Sequence, residues 1–174
     1  MAVRLEIGWR PELVDAEGEG VRRQGREYFG LEMDRVRVLK ILTMDLDLAP
    51  EELEALRTEV FTHPITQVSA FYPLAKDFNG AIWVGYRPGV RDTAGTVALE
   101  AIAAYLGRPL PGEAAVYTSR LYLFSGAQVS RPRLEQLARE LLANDLIQEF
   151  RIFSPENWDP QAGVGIILPR VRLD

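Results

Sequence analysis

Residues 84–95 read V-G-Y-R-P-G-V-R-D-T-A-G, and residues 7–18 read I-G-W-R-P-E-L-V-D-A-E-G. The two stretches share the pattern R-P-x-x-x-D-x-x-G. At the same spacing, further matches join Gly8, Tyr28 and Gly30 to Gly85, Tyr105 and Gly107. Later matches, at a slightly longer spacing, join Leu53, Glu54, Leu56, Glu59 and Gln67 to Leu134, Glu135, Leu137, Glu140 and Gln148. Because self-similarity at a fixed period marks duplicated architecture, we expect a tandem repeat.

Length and composition narrow the class of protein. The chain has 174 residues, a net charge of −5 and no cysteine. Half of this length is marginal for an independent core, so the halves are expected to share a core or a sheet. The acidic balance argues against nucleic acid or an anionic membrane surface as the main partner. The absence of cysteine suits a reducing compartment, and no apolar run approaches the ~18–20 residues of a membrane span, so we expect a cytoplasmic chain.

Local patterns predict the elements of each half. Alternating apolar residues predict a strand over 3–9 and its counterpart over 82–86. Asp15 and Asp92 then stand where helix N-caps are expected, and Gly30 and Gly107 stand where those helices should end. The helices are therefore expected to run to about Phe29 and Leu106.

The middle of each half leaves two alternatives open. Segments 36–46 and 115–126 each predict either one long bent strand or a tight two-strand hairpin. In the first segment Lys40 interrupts an apolar face, which favours a bend or a turn at that position. Second helices are expected to begin at Pro50 and after the candidate cap Ser130.

The resulting prediction is an α+β fold. Closing strands are expected over 66–72 and 147–153, so that each half is a β-α-β(β)-α-β unit, of ferredoxin-like type if the middle segment is a hairpin. We expect antiparallel sheets with the helices on one face and a pseudo-two-fold relation between the units. The first unit is residues 1–73 and the second is residues 80–153, and the linker 73–79 joins them. Residues 154–174 form a C-terminal tail, either a connector or an extra strand.

The search for catalytic chemistry assigns no residue. His63 is the one histidine, and no candidate partner residues are patterned around it, so it is interpreted as a capping or surface residue. The glycines at 18, 20 and 25 are interpreted as sites of close helix packing rather than a phosphate-binding loop. No metalloprotease, nucleophile-elbow or P-loop motif is present. We therefore predict no catalytic, cofactor-binding or metal-binding residue.

Four residues are predicted to contact a partner protein. A proline-stiffened turn does not require the repeated Arg10 and Arg87, so these two side chains are candidates for a partner interface. Arg120 lies in the predicted strand V-Y-T-S-R. Trp83 lies on the strand face opposite Ile82 and Val84, and it is expected to pack against the tail, the other repeat or another protein. Replacing Arg87 or Trp83 by alanine is expected to weaken partner binding more than the fold.

Several of these segments resemble PurS, the small subunit of phosphoribosylformylglycinamidine synthase. The D-x-x-G helix starts at Asp15 and Asp92 resemble that of the family, and L-L-A-N-D-L-I-Q-E-F-R over 141–151 is similar to its closing segment. The first repeat has a degraded version over 59–70. The arrangement, including V-Y-T-S-R and the tail motif P-R-V-R-L, also looks like the N-terminal region of synthetases that carry two fused PurS-like units.

The resemblance implies a role in purine biosynthesis. PurS subunits are small α+β proteins that dimerise and hold a PurL-type synthetase against a PurQ-type glutaminase. The assembled ligase uses ATP, with magnesium, and glutamine to form a C–N bond, and ammonia passes between its components. PurS itself is not known for catalytic residues. The family usually has a single copy, so the fused copies imply a pseudo-dimer in one chain, with further self-association possible, and no activity in isolation.

A regulatory module of the ACT type is the alternative. Such modules also pair βαββαβ units, and they bind amino acids through a glycine-containing loop after the first strand. Here that loop is R-P-E-L-V-D or R-P-G-V-R-D, and proline stiffens it. The fit to the ACT pattern is therefore poorer than the fit to PurS.

Overall fold

A computed structural model describes residues 1–169 as an α+β structure. Residues 170–174, the end of the predicted tail and of its P-R-V-R-L motif, lie outside the described residues. None of the helices within 1–169 is long and apolar enough to cross a membrane. The elements in chain order are β1 (Val3–Trp9), α1 (Ala16–Phe29), β2 (Arg35–Asp45), α2 (Pro50–Leu56), β3 (Gln67–Ala70), β4 (Gly80–Tyr86), α3 (Thr93–Leu106), β5 (Ala115–Ser125), α4 (Arg131–Leu137) and β6 (Gln148–Phe153).

The helix boundaries follow the predicted signals with one exception. Helices α1 and α3, the first helix of each half, end at glycines with positive φ, Gly30 at 62° and Gly107 at 68°. Helix α2 begins at Pro50, and α4 begins after Ser130 as expected, but the Ser130 side chain makes no capping hydrogen bond. Helices α2 and α4 each continue into a π-helical turn, over Arg57–Phe61 and Ala138–Leu142.

All six strands belong to one antiparallel sheet with the order β3-β1-β2-β5-β4-β6. In the first half β1 lies between β2 and β3, and in the second half β4 lies between β5 and β6. The halves meet where β2 pairs with β5 along its full length, from Arg35 opposite Ser125 to Asp45 opposite Ala115. A six-stranded antiparallel sheet with four helices is compatible with a ferredoxin-like fold.

The middle segment of each half is one continuous strand, so the hairpin alternative is wrong. The turn expected at Lys40 is also wrong, because this residue pairs with Ile7 on one side and with Arg120 on the other. Its exposed side chain lies between two separate apolar clusters on the same face of the sheet. Lys40 interrupts the apolar pattern because it stands at the boundary between two cores.

Each of these two cores combines helices from both halves. In the first core Val21 of α1 joins Leu134 and Leu137 of α4. In the second core Leu56 of α2 joins Ile102 of α3. All four helices therefore pack on the same face of the sheet, and the two halves share their cores as the short length of each half predicts.

The linker and the tail cover the other face of the sheet. A third apolar cluster joins Leu39 and Leu121 of the central strands to Ala75 of the linker and Val164 of the tail. Within 154–169 the tail forms no strand, so over that range the extra-strand alternative is wrong. Trp158 anchors it between the rings of Phe78 and Phe153, each edge-to-face with a centroid separation of 5.3 Å.

Candidate partner interface

The aspartate of the repeated motif connects the start of a helix to the neighbouring long strand. One carboxylate oxygen of Asp15 accepts a hydrogen bond from the Gly18 amide, and the other accepts one from the Val38 amide, both at 2.8 Å. In the second half Asp92 accepts the equivalent bonds from Gly95 at 2.8 Å and Thr118 at 2.6 Å. Both aspartates are N-caps, as predicted, and each also satisfies a strand amide.

The glycine of the motif allows the helix to approach the strand. A Cβ atom on Gly18 would lie 2.1 Å from the Val36 carbonyl oxygen, and one on Gly95 would lie 2.0 Å from that of Val116. The predicted close packing is therefore confirmed at Gly18. It is wrong for Gly20, where a Cβ would meet nothing within 4 Å.

The arginine of the motif is bound to the turn that precedes the closing strand. Arg10 donates from Nε to the Ile65 carbonyl at 2.8 Å and from Nη2 to the Pro64 carbonyl at 3.0 Å. Arg87 donates to the Asp145 carbonyl at 2.9 Å and to its carboxylate at 3.1 Å. These contacts explain the repeated arginine without a partner, and they also fix each guanidinium at the edge of an exposed turn.

Those turns have similar internal hydrogen bonds in both halves. His63 Nδ1 accepts from the amides of Ile65 and Thr66, each at 3.2 Å, which is the capping role predicted for it. Asn144 occupies the equivalent position and accepts from the Leu146 amide at 3.1 Å. We call residues 63–66 and 144–147 the two turn tips.

Each turn tip presents an aliphatic side chain that the sequence analysis did not select. Ile65 is 75% exposed and Leu146 is 86% exposed. Each lies in the tip that the arginine of its own half contacts, Arg10 in the first half and Arg87 in the second. Arginine is enriched at protein interfaces, and here each arginine lies beside an exposed apolar side chain that a partner could cover. The available sequence signal was an aliphatic residue at equivalent positions of two predicted turns, Ile65 in H-P-I-T and Leu146 in N-D-L-I.

Arg120 lies at the centre of the helix-covered face, away from the turn tips. Its guanidinium forms an ion pair with Glu17 of α1 at 2.9 Å, and both side chains are about half exposed. A surface pair of this kind contributes at most about 1 kcal/mol to stability. Its position opposite Lys40 in the central strand pair places it between the two cores.

Trp83 is not exposed to solvent. Its side chain is 4% exposed and belongs to the apolar cluster beneath the tail and the linker. The Arg151 guanidinium lies 5.6 Å from the indole centroid, and Gly85 provides space because a Cβ there would lie 2.4 Å from the ring. Of the three predicted packings, the one against the tail is observed. Within residues 1–169 Trp83 is therefore not an exposed contact for a partner protein, and that expectation is wrong.

A buried ion pair attaches the tail at the position equivalent to Trp83. Arg4 donates from Nε to the Glu6 carboxylate at 2.9 Å, and its Nη1 donates to the carbonyls of Ala162 and Gly165. Burial raises the pKa of Glu6, while the hydrogen bond from the Leu74 amide and the charge of Arg4 act in the opposite direction. The pair therefore holds both the linker and the tail against the sheet.

Residues 1–169 contain no group of three or more His, Cys, Asp or Glu side chains arranged to hold a metal ion. No protein-family model matches the sequence, and no curated protein is significantly similar to it.

Proposed function

We propose that the chain is an internal duplication that folds as a pseudo-dimer and serves as a non-catalytic assembly component of phosphoribosylformylglycinamidine synthase. In this role it holds a PurL-type synthetase against a PurQ-type glutaminase and supports ammonia transfer between them. The PurS-like segments in both halves suggest this assignment. The equivalent contacts of the two halves are the observation that supports it most directly.

The register of the central strands supports a two-fold relation. The two motif aspartates bind the Val38 and Thr118 amides, which makes these residues counterparts, 80 positions apart (118 − 38). At that spacing Lys40 is the counterpart of Arg120, and the two residues lie directly opposite each other. A position that pairs with its own counterpart lies on the axis of an isologous pair. We therefore place the pseudo-two-fold axis between Lys40 and Arg120.

A pseudo-dimer of this kind suits a bridging role. Because each core uses helices from both halves, the two units form a stiff frame rather than two independently moving domains. The frame presents two equivalent turn tips whose sequences have diverged, P-I-T beside Arg10 and D-L-I beside Arg87. Divergent surfaces on a symmetric frame allow one chain to contact two different proteins.

Reconstitution tests the proposal. The chain is mixed with the PurL-type and PurQ-type proteins of the same organism, in the presence of Mg-ATP and glutamine. Light scattering coupled to size exclusion is expected to show a complex that contains all three proteins only when this chain is present. Glutamine-dependent amidine formation is expected to rise with its addition. If no complex forms and the rate does not change, the proposed function is wrong.

A further inference from the structure

A wide groove lies on the sheet face opposite the helices, beside the linker. Its volume is about 610 Å³, within the roughly 300–1,000 Å³ typical of small-molecule sites. Strand β2 lines one wall with Arg35 and Arg37, and the other wall is lined by Tyr72, which directly precedes the linker, and by Lys76 and Phe78 of the linker. The groove therefore combines positive charge with aromatic surface.

Three cations converge on this groove without a paired carboxylate. Arg35 and Arg37 are alternate residues of one strand, so their side chains leave the same face. Within residues 1–169 their guanidinium groups donate to main-chain carbonyls, Arg35 to Pro11 at 3.0 Å and Arg37 to Trp9 at 3.4 Å. Among residues 1–169, neither arginine nor Lys76 has a carboxylate within ion-pair distance. Asp77 also lines the groove, and it forms no ion pair with another residue of the described range.

The fold does not require these cations. The counterparts of Arg35 and Arg37 in the second half are Ala115 and Tyr117, and strand β5 forms in the same way with them. Arg37 is half-buried, and burial and then the charge of Arg35 lower its pKa, with Asp15 acting in the opposite direction. Burial thus deprives the Arg37 guanidinium of part of its hydration, and an anion in the groove would compensate for that loss. The chain as a whole has a net charge of −5, so these three cations form a local concentration of positive charge on an acidic protein.

We propose that the groove binds a small molecule that carries a phosphate group. Arg35 and Arg37 present planar donor groups that match phosphate oxygens, and Lys76 adds charge from the opposite wall. The rings of Tyr72 and Phe78 lie where the organic part of the ligand would rest. A ligand bound at this site would provide a means of regulating the protein. The proposal does not depend on the assembly role proposed above.

Calorimetric titration and thermal shift at constant ionic strength test the site. The probes are inorganic phosphate, ribose 5-phosphate and adenosine 5′-monophosphate, with sodium chloride, citrate and free amino acids as comparison solutes. We expect the phosphate esters to bind and to raise the melting temperature. Inorganic phosphate is expected to bind more weakly, and the comparison solutes are expected to give no saturable signal. Preference for the nucleotide over the sugar phosphate would identify an aromatic ligand.

Variants locate the binding. Arg35→Ala and Lys76→Ala, both exposed positions, are each expected to weaken ester binding about tenfold, the equivalent of one charge-assisted hydrogen bond. Arg37→Met is expected to weaken it further without lowering the melting temperature of the free protein. Lys40→Ala is the matched control, because it removes an exposed cation from the opposite face and should leave binding unchanged.

Three results would overturn the proposal. The first is the absence of saturable binding by either ester. The second is binding by Arg35→Ala and Lys76→Ala that equals that of the parent protein, which decides the question even if Arg37→Met fails to fold. The third is citrate or an amino acid that binds as tightly as the esters. A saturable amino-acid signal alone would favour the ACT-type alternative. The first two results leave the proposed assembly role untouched, because complex formation with a synthetase and a glutaminase is measured separately.

Discussion

Gly18 and Val36 are in such close contact that a Cβ atom on the glycine would stand 2.1 Å from the valine carbonyl oxygen. Gly95 and Val116 have the same relationship in the second half, at 2.0 Å. The first helix of each half therefore starts directly against the backbone of a long strand. No side chain larger than hydrogen fits at these two positions without moving the helix.

Gly18→Ala is expected to destabilise the protein, since the obstacle is main chain rather than a flexible side chain. Overpacking of this kind costs about 1–3 kcal/mol of unfolding free energy. Gly20→Ala is the matched control in the same helix, because its Cβ meets nothing within 4 Å. That change should stabilise by about 0.5–1 kcal/mol, the usual difference in helix propensity. Urea denaturation followed by circular dichroism measures both, and equal effects would contradict the contact.

Trp83→Ala is expected to cost about 3–5 kcal/mol of unfolding free energy, because the indole is buried beneath the tail. Trp9→Ala provides the comparison, because Trp9 is 39% exposed and its loss should cost roughly 1–2 kcal/mol. The measurement should use circular dichroism, since each variant removes one of the three tryptophan fluorophores. A Trp83→Ala variant as stable as the parent would show that the tail does not cover this side chain in solution.

Arg4→Met is expected to give a pH-dependent loss of stability. The change leaves the Glu6 carboxylate buried without its cation, which costs about 3–5 kcal/mol when the carboxylate is charged. The pKa of Glu6 in the folded chain already lies above its ordinary value of 4.5, and loss of Arg4 raises it further. The penalty is therefore present at pH 7.5 and shrinks as the pH falls and Glu6 takes up a proton.

The double variant Arg4→Met/Glu6→Leu is the control for this effect. It has no buried carboxylate, so its stability relative to the parent should lack the pH dependence assigned to the lone charge. Unfolding free energies at pH 5 and pH 7.5 measure the difference. If Arg4→Met is equally destabilised at both pH values, the raised pKa of Glu6 is not the cause of the loss.

Ile65→Asp and Leu146→Asp are expected to leave the fold intact and to weaken complex formation. Both side chains project from turn tips, so their loss removes almost no internal packing. Loss of an interface anchor typically lowers affinity about ten- to a hundred-fold. If the tips meet different proteins, one variant should lose the synthetase and the other the glutaminase in pull-down assays.

Val97→Asp on α3 is the matched control for the tips, because it places the same charge at an apolar position that is 57% exposed. It should assemble like the parent protein. Unchanged binding by both tip variants would show that the partner interface does not include the turn tips. The expectation that Arg87→Ala weakens binding would then have to be tested independently of the tips.

The approximate positions of the strands, the helix starts and the α+β class could be predicted because their causes are local, although β3 ends at Ala70 rather than at residue 72. Asp15 and Asp92 cap the helices that follow them, and Gly30 and Gly107 adopt the left-handed conformation that ends those helices. Strand β1 was expected over 3–9 and is observed there. Alternation, capping and glycine conformation each depend on residues within a few positions of one another.

Only the tertiary structure decided how these elements share surfaces. Lys40 resembled a turn signal along the chain, but it is a strand residue between two cores that distant helices complete. Trp83 resembled an exposed anchor, and the tail about eighty positions later in the chain covers it. The repeated arginines proved to hold turns some 55 residues away from them. A sequence pattern records which face of an element is apolar, but the packing of elements far apart in the chain determines what covers that face.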